Sequence, residues 1–89
     1  TEQDLGVYGA VDCGLYVAYF MLAAKSLGVD CIAQAALASY PEIIRAEFGL
    51  PASRKMVCGI SFGFGDSGHA INGYRTARAN LAGVVTWRE

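Results

Sequence analysis

The sequence predicts an α+β fold of two helices and two strands in one domain spanning residues 1–89, and three features carry that reading. Asp12–Leu27 (DCGLYVAYFMLAAKSL) is dense in helix formers, Lys55–Gly65 (KMVCGISFGFG) alternates with period two, and Gly-rich or Pro-containing breaks separate the segments. Two strands do not make an independently stable sheet, so the pattern also implies further chain or a second subunit.

The first helix is expected to start at Asp12 as N-cap and to stop at Gly28, a residue suited to the left-handed position after a helix end. Its apolar residues point in nearly every direction, which predicts one side against its own sheet and another against a second subunit. The following VDCIAQAALA places Gln34 among Ala33, Ala35 and Ala36 and is compatible with a closely packed helical turn. A second helix is expected near Ser39, where Ser39-Tyr40-Pro41-Glu42 has capping-box spacing, although Pro41 disfavours the α region at Tyr40 and allows a cap one residue later. Gly49-Leu50-Pro51 ends it.

In the alternating strand, Met56, Cys58, Ile60, Phe62 and Phe64 share one face, which is expected to fill a core. Val57, Gly59, Ser61 and Gly63 share the other, a nearly bare face to which a backbone, a helix or a flat ligand can come close. Gly65–Gly73 is expected to be a loop, and Gly83–Trp87 a final strand.

Composition sets limits. A chain of 89 residues buries only roughly 60 to 65% of its unfolded surface when it folds alone, yet 54% of its residues are hydrophobic and its mean hydropathy is +0.33. Association, or membership of a larger unit, follows. Twelve residues without a charge separate Asp12 from Lys25, fewer than the roughly 20 a bilayer crossing needs, so no transmembrane span is expected. Residues 1–12 lack the basic start of a signal peptide, and a cytoplasmic location is the default. Cys13, Cys31 and Cys58 are widely spaced in apolar surroundings, as expected of reduced thiols packed as small hydrophobes, and with His69 they lack the short spacing of a zinc site. The net charge of −1 argues against nucleic-acid binding or attachment to a membrane surface. Six acidic and two basic residues fall in 1–49, whereas five basic and two acidic residues fall in 50–89, which puts any small-anion site in the second half.

Four stretches in order give a specific resemblance: Asp12–Leu27 ending FMLAAKSLG; Gln34-Ala35-Ala36-Leu37; Tyr40-Pro41-Glu42 through Phe48-Gly49-Leu50-Pro51; and Val57-Cys58-Gly59-Ile60 followed by Asn72-Gly73-Tyr74-Arg75-Thr76 and Arg78. Together they resemble the carboxy-terminal portion of the flavin-dependent nitroreductase family. The resemblance implies part of a nitroreductase-like α/β sandwich, dimeric, with FMN at the subunit interface. It implies that the backbone of Ala33, Gln34, Ala35 and Ala36 borders the flavin ring, that Arg75 contacts the FMN phosphate and that Arg78 assists. Guanidinium suits phosphate because it donates two parallel hydrogen bonds. Ala33 stands where many relatives have proline, and Ala18-Tyr19 replace a polar pair. The family's arginine- and serine-rich amino-terminal element, which supplies the other half of the pocket, is expected from a partner or from the amino-terminal portion.

The implied activity is hydride transfer from NAD(P)H through FMN to a nitroaromatic, quinone or similar acceptor, with no acid, base or nucleophile required of the protein. Cys58 and His69 do not make a nucleophile and base, since the one lies in a core strand and the other in a glycine-rich loop. The alternative is a truncated, non-catalytic module that dimerises through its apolar helix and last strand and has lost flavin binding.

Overall fold

The computed structural model describes residues 1–89. After a short 3-10 turn (Gln3–Leu5), the first helix, α1, runs Gly6–Ser26; a strand β1 (Asp30–Gln34), a 3-10 turn (Ala35–Ser39) and helix α2 (Pro41–Phe48) follow. Strand β2 (Gly59–Gly63), another 3-10 turn (Ala70–Gly73) and a one-turn helix α3 (Leu81–Val84) complete the chain.

Helix α1 starts six residues before the expected cap. Leu5 is its N-cap, without a capping side chain, and Asp12 sits in the helix interior. The helix extends past a residue that only local chemistry marked as a boundary, through Gly6–Val11, whose residues other than Ala10 are not strong helix formers. Its far end is as expected: Gly28 adopts φ +76°, the Gly28 amide donates to the Lys25 carbonyl at 3.0 Å, and the Val29 amide donates to Ala24 at 2.9 Å. Those two bonds satisfy carbonyls that the helix end leaves free.

Helix α2 ends in the same way at Gly49 (φ +61°), with the Leu50 amide donating to Arg45 at 2.9 Å. Its start is Pro41 with Tyr40 as N-cap, and no side chain caps it, so the Ser39–Glu42 box does not form. Proline keeps Tyr40 out of the helical region, and Ser39 closes the preceding 3-10 turn instead.

The sheet is one antiparallel pair, with Asp30 opposite Gly63, Ile32 opposite Ser61 and Gln34 opposite Gly59. Strand β1 falls where a helical turn was expected, because pairing with β2 overrides the helix preference of alanine; only Ala35–Ser39 keeps a helical twist. The expected strand at 55–65 is confined to Gly59–Gly63. The expected strand at Gly83–Trp87 does not form. No neighbouring edge pairs with it, and Asn80 Oδ1 accepts from the Ala82 amide at 2.9 Å, starting α3 instead.

Residues opposite each other in an antiparallel pair share a face. Cys31 and Ala33 therefore lie with Phe62 and Ile60 on the α1 side, where Phe62 meets Phe20 edge-on at 5.7 Å. Asp30, Ile32 and Gln34 lie with Gly63, Ser61 and Gly59 on the other side. On α1, Ala10, Cys13, Val17, Phe20, Met21 and Ala24 form the half-buried stripe, at helical spacing.

The expected core does not close. Gly9 alone is buried, Phe62 is 66% exposed and Phe64 87%. The three cysteines are free and half-buried rather than enclosed. The accessible surface is 7652 Å², against about 5,000 Å² for a compact protein of this mass. The radius of gyration is 16.5 Å, where roughly 12 Å is usual for this length. Tyr8, Leu15, Tyr19 and Leu22 remain exposed on α1.

Because α1 begins early, the continuous helical segment Gln3–Ser26 is 24 residues long and contains an 18-residue window of mean hydropathy 1.5, which by length and composition alone suffices to cross a membrane. The charge-free stretch counted from Asp12 misses this. Core helices of soluble proteins meet the same criterion, and a carboxylate such as Asp12 costs about 2.5–3.5 kcal/mol near the centre of a spanning helix.

The glycine at the α1–β1 junction gives a test. Gly28→Ala forces a side chain into left-handed backbone at a cost of about 1–2 kcal/mol. The denaturant midpoint at fixed protein concentration is expected to fall accordingly, whereas alanine at Gly73, which has a negative φ and open space around its Cβ position, is expected to leave it nearly unchanged.

Candidate functional site

Strand β1 delivers the alanine and glutamine run to the edge of the structure. Ala33 is on the α1 side of the ribbon, Gln34 is the last strand residue on the opposite face, and Ala35 and Ala36 open the 3-10 turn. All four are exposed. With three methyl side chains around Gln34, the backbone from 33 to 36 is approachable by a flat group.

Gln34 is held. Ser61 lies diagonally across the ribbon on the same face, and its hydroxyl donates to Gln34 Oε1 at 2.7 Å. Opposite Gln34, a Cβ on Gly59 would collide with Leu37 Cδ1, so only glycine lets Leu37 fold over this end of the face. At the other end, the position of a Gly63 Cβ is open space. The bare face read from the sequence is thus half covered by Leu37 and half open.

Asp30 begins β1 and ties three elements together. It pairs with Lys25 of α1 at 2.7 Å, and its Oδ2 accepts from the Gly65 amide at 3.2 Å, in an approach where a Cβ on Gly65 would stand 2.6 Å from that oxygen. The Lys25 hydrogen bond holds the Asp30 carboxyl below the ordinary aspartate range, aided by the Gly65 amide and by the charges of Lys25 and Arg75.

The charge of Arg75 is the smallest of these favourable influences, and no hydrogen bond or ion pair joins Arg75 to Asp30. Arg75 Nη1 donates to the carbonyls of Asn72 and Tyr74 at 2.8 and 3.0 Å, leaving its other donors free. Arg78 folds onto its own segment, bonding the Thr76 hydroxyl and the Ala77 carbonyl, and makes no hydrogen bond to β1. Gln34 and Asp30 are four strand steps apart, about 13 Å. His69 Nδ1 accepts from the Ile71 amide at 3.2 Å, capping the short turn Ala70–Gly73, and Cys58 lies just before β2. Two surface hollows, one lined by Glu2, Gln3, Asp4 and Ser53 and one by residues including Arg45, Leu50, Arg54 and Met56, include neither Gln34 nor Arg75.

Sequence reading missed Asp30 and Ser61. Ser61 was legible only as the one polar residue on a glycine face, and Asp30 only as an acid beside a helix stop.

The site is thus the end of an α+β ribbon that carries a small-residue wall. The nitroreductase family model matches residues 1–64, and the chain belongs to the nitroreductase family. It is 42% identical over 73 residues, 82% of its length, to nitroreductase NfnB of Mycolicibacterium smegmatis, and 34% identical over 77 residues, 86% of its length, to a 4-nitrobenzoate reductase of Nocardioides. It also overlays the crystal structure of the FMN-dependent nitroreductase NfnB in complex with NADPH, from Mycobacterium smegmatis, with a TM-score of 0.81 and 39% identity over 90% of the chain. The chain spans about a third of these relatives: 31% of each of the two sequences and 36% of the structure. Arg75 and Arg78 lie beyond the residues that the family model matches.

The Asp30 cluster has a pH signature. A carboxyl lowered on folding contributes stability that is complete above its unfolded pKa, about 3.9, and is lost as pH falls through the lower folded value. An NMR titration is expected to place the Asp30 midpoint below about 3.9, and Lys25→Met to move it upward. A midpoint at or above the unfolded value would break the cluster.

Proposed function

We propose that this chain forms the carboxy-terminal part of the flavin site of an FMN-dependent, nitroreductase-like oxidoreductase, acting in the cytoplasm as a homodimer or together with the family's amino-terminal portion. The observation that carries the reading is the exposed small-residue wall at 33–36, with Gln34 held by Ser61, in a chain that overlays an FMN-dependent relative. The residues fit the cofactor: the exposed backbone of Ala33, Gln34, Ala35 and Ala36 suits a ring edge, and Arg75, with free guanidinium donors, suits a phosphate. Arg78 fits as an auxiliary charge.

When bound, FMN supplies the hydride chemistry between NAD(P)H and a nitroaromatic, quinone or similar acceptor. The chain's own residues bind, orient and exclude water. The Gln34 amide and the backbone beside it hold a ring edge, and Arg75 neutralises a phosphate. Phe62 and Phe20 stiffen the α1 side of the ribbon on which the wall is mounted. None of this requires a proton donor or acceptor from the side chains.

A second reading, a truncated and non-catalytic module that dimerises through its apolar surface without flavin, is favoured by the near absence of buried residues. The color of the purified protein separates the two. A yellow sample that releases FMN on denaturation is the expected result, and a colourless one that takes up no added FMN supports the module. In a flavin-binding sample, Arg75→Ala is expected to weaken FMN by about 1–3 kcal/mol, the scale of a lost charge-assisted hydrogen bond, in a fluorescence titration. Unchanged affinity would remove Arg75 from the site.

A further inference from the structure

We propose that Ser61 is a positioning residue that sets the Gln34 amide so that its N–H donors, not its carbonyl, face the ligand. The proposal deepens the flavin reading and rests on it. The Ser61 hydroxyl donates to Gln34 Oε1 at 2.7 Å, which occupies the carbonyl end of the amide, while no protein acceptor takes the Nε2 hydrogens. An amide free to rotate offers either a donor or an acceptor; one whose oxygen is occupied offers two donors.

The register makes the arrangement specific. Ser61 pairs with Ile32 and Gln34 with Gly59, so the serine and the glutamine are diagonal neighbours on one face, a separation that a long side chain spans. On that face Gly59 and Gly63 carry no side chain, Leu37 closes over Gly59, and Ile32 is the apolar neighbour of Gln34 on its own strand, so the hydroxyl is the amide's hydrogen-bond partner. The group such a site receives is a planar edge bearing acceptors, carbonyl oxygens or ring nitrogens. The pair is exposed in this chain, where water competes for it; a ring laid over it removes that competition, and the preset orientation then favours binding.

The donors also distinguish redox states. A reduced flavin is the more electron-rich, so hydrogen-bond donors at its acceptor edge stabilise it more than the oxidised form, and loss of the orientation lowers the midpoint potential.

The test uses the full chain and three variants, Ser61→Ala, Ser61→Thr and Gln34→Ala. Without ligand, Ser61→Ala is expected to shift the Gln34 side-chain amide resonances while backbone resonances away from β1 and β2 stay put, and Ser61→Thr is expected to retain them. Unmoved Gln34 resonances in Ser61→Ala overturn the proposal whatever flavin does. With FMN, Ser61→Ala is expected to weaken binding roughly 2- to 10-fold, the scale of one neutral hydrogen bond, with recovery in Ser61→Thr and a more negative potential. Combining Ser61→Ala with Gln34→Ala is expected to add nothing to Gln34→Ala alone; additive losses overturn the proposal. If the unmodified chain takes up no FMN, the flavin reading fails, and the amide resonances decide by themselves whether Ser61 sets Gln34.

Discussion

The pairing of residues 30–34 with 59–63 is the constraint on which the rest of the structure depends. It brings together segments separated by α2 and a long irregular connection, and it puts Phe62 against Phe20 of α1. Without it there is no face for Gln34 to share with Ser61, no start of β1 for Gly65 to reach, and no partner to draw Asp30–Gln34 out of a helical turn. A two-stranded ribbon is marginal in water by itself. Here one flank is reinforced by α1 and one corner by the Lys25, Asp30 and Gly65 contacts, which link helix, strand and loop within a few residues of Gly28.

That reinforcement does not amount to a core. The chain leaves about half as much surface again as a compact protein of its mass, with the outer side of α1 and nearly all of residues 61–89 exposed. A helix apolar all round belongs inside something. Only one side of α1 meets its own sheet, which is the physical form of the chain covering about a third of its relatives' length. The same helix is long and apolar enough to cross a membrane, although Asp12 interrupts its apolar surface.

Much of this was legible in the residues. Gly28 and Gly49 marked the helix ends because a left-handed turn admits glycine almost alone, and both take positive φ. Alternation at 59–63 told which side chains share a face, and the bare face does carry the approach of Leu37. What was misread depended on partners distant in sequence. Asp30–Gln34 looks helical in isolation and becomes a strand because β2 is beside it; Gly83–Trp87 has strand composition but, with no edge beside it, only Gly83 and Val84 are in a regular element, the helical turn α3, and Val85–Trp87 are irregular. Asp12 has the chemistry of a cap, but Gly6–Val11 continue the helix at its expense. The core predicted for Met56, Cys58, Ile60, Phe62 and Phe64 was the right face without enough chain to cover it. Of the candidate site, the wall at 33–36 was readable as small residues around one amide, whereas the hydroxyl that holds the amide was not, because its partnership exists only in the strand register.

Strand geometry also limits what the candidate site can accept. Gln34 and Asp30 stand about 13 Å apart on one face, and the charge of Arg75 is among those that act on Asp30. A ligand that engages both ends must be elongated, planar and rich in acceptors at one end and anionic at the other. Asp30 itself repels an anion, so its ion pair with Lys25 matters twice: it anchors the strand and it reduces the negative potential where a phosphate would lie. FMN has this polarity, a flat ring separated from a phosphate by a flexible chain, whereas a free phosphate or a simple aromatic matches only one end.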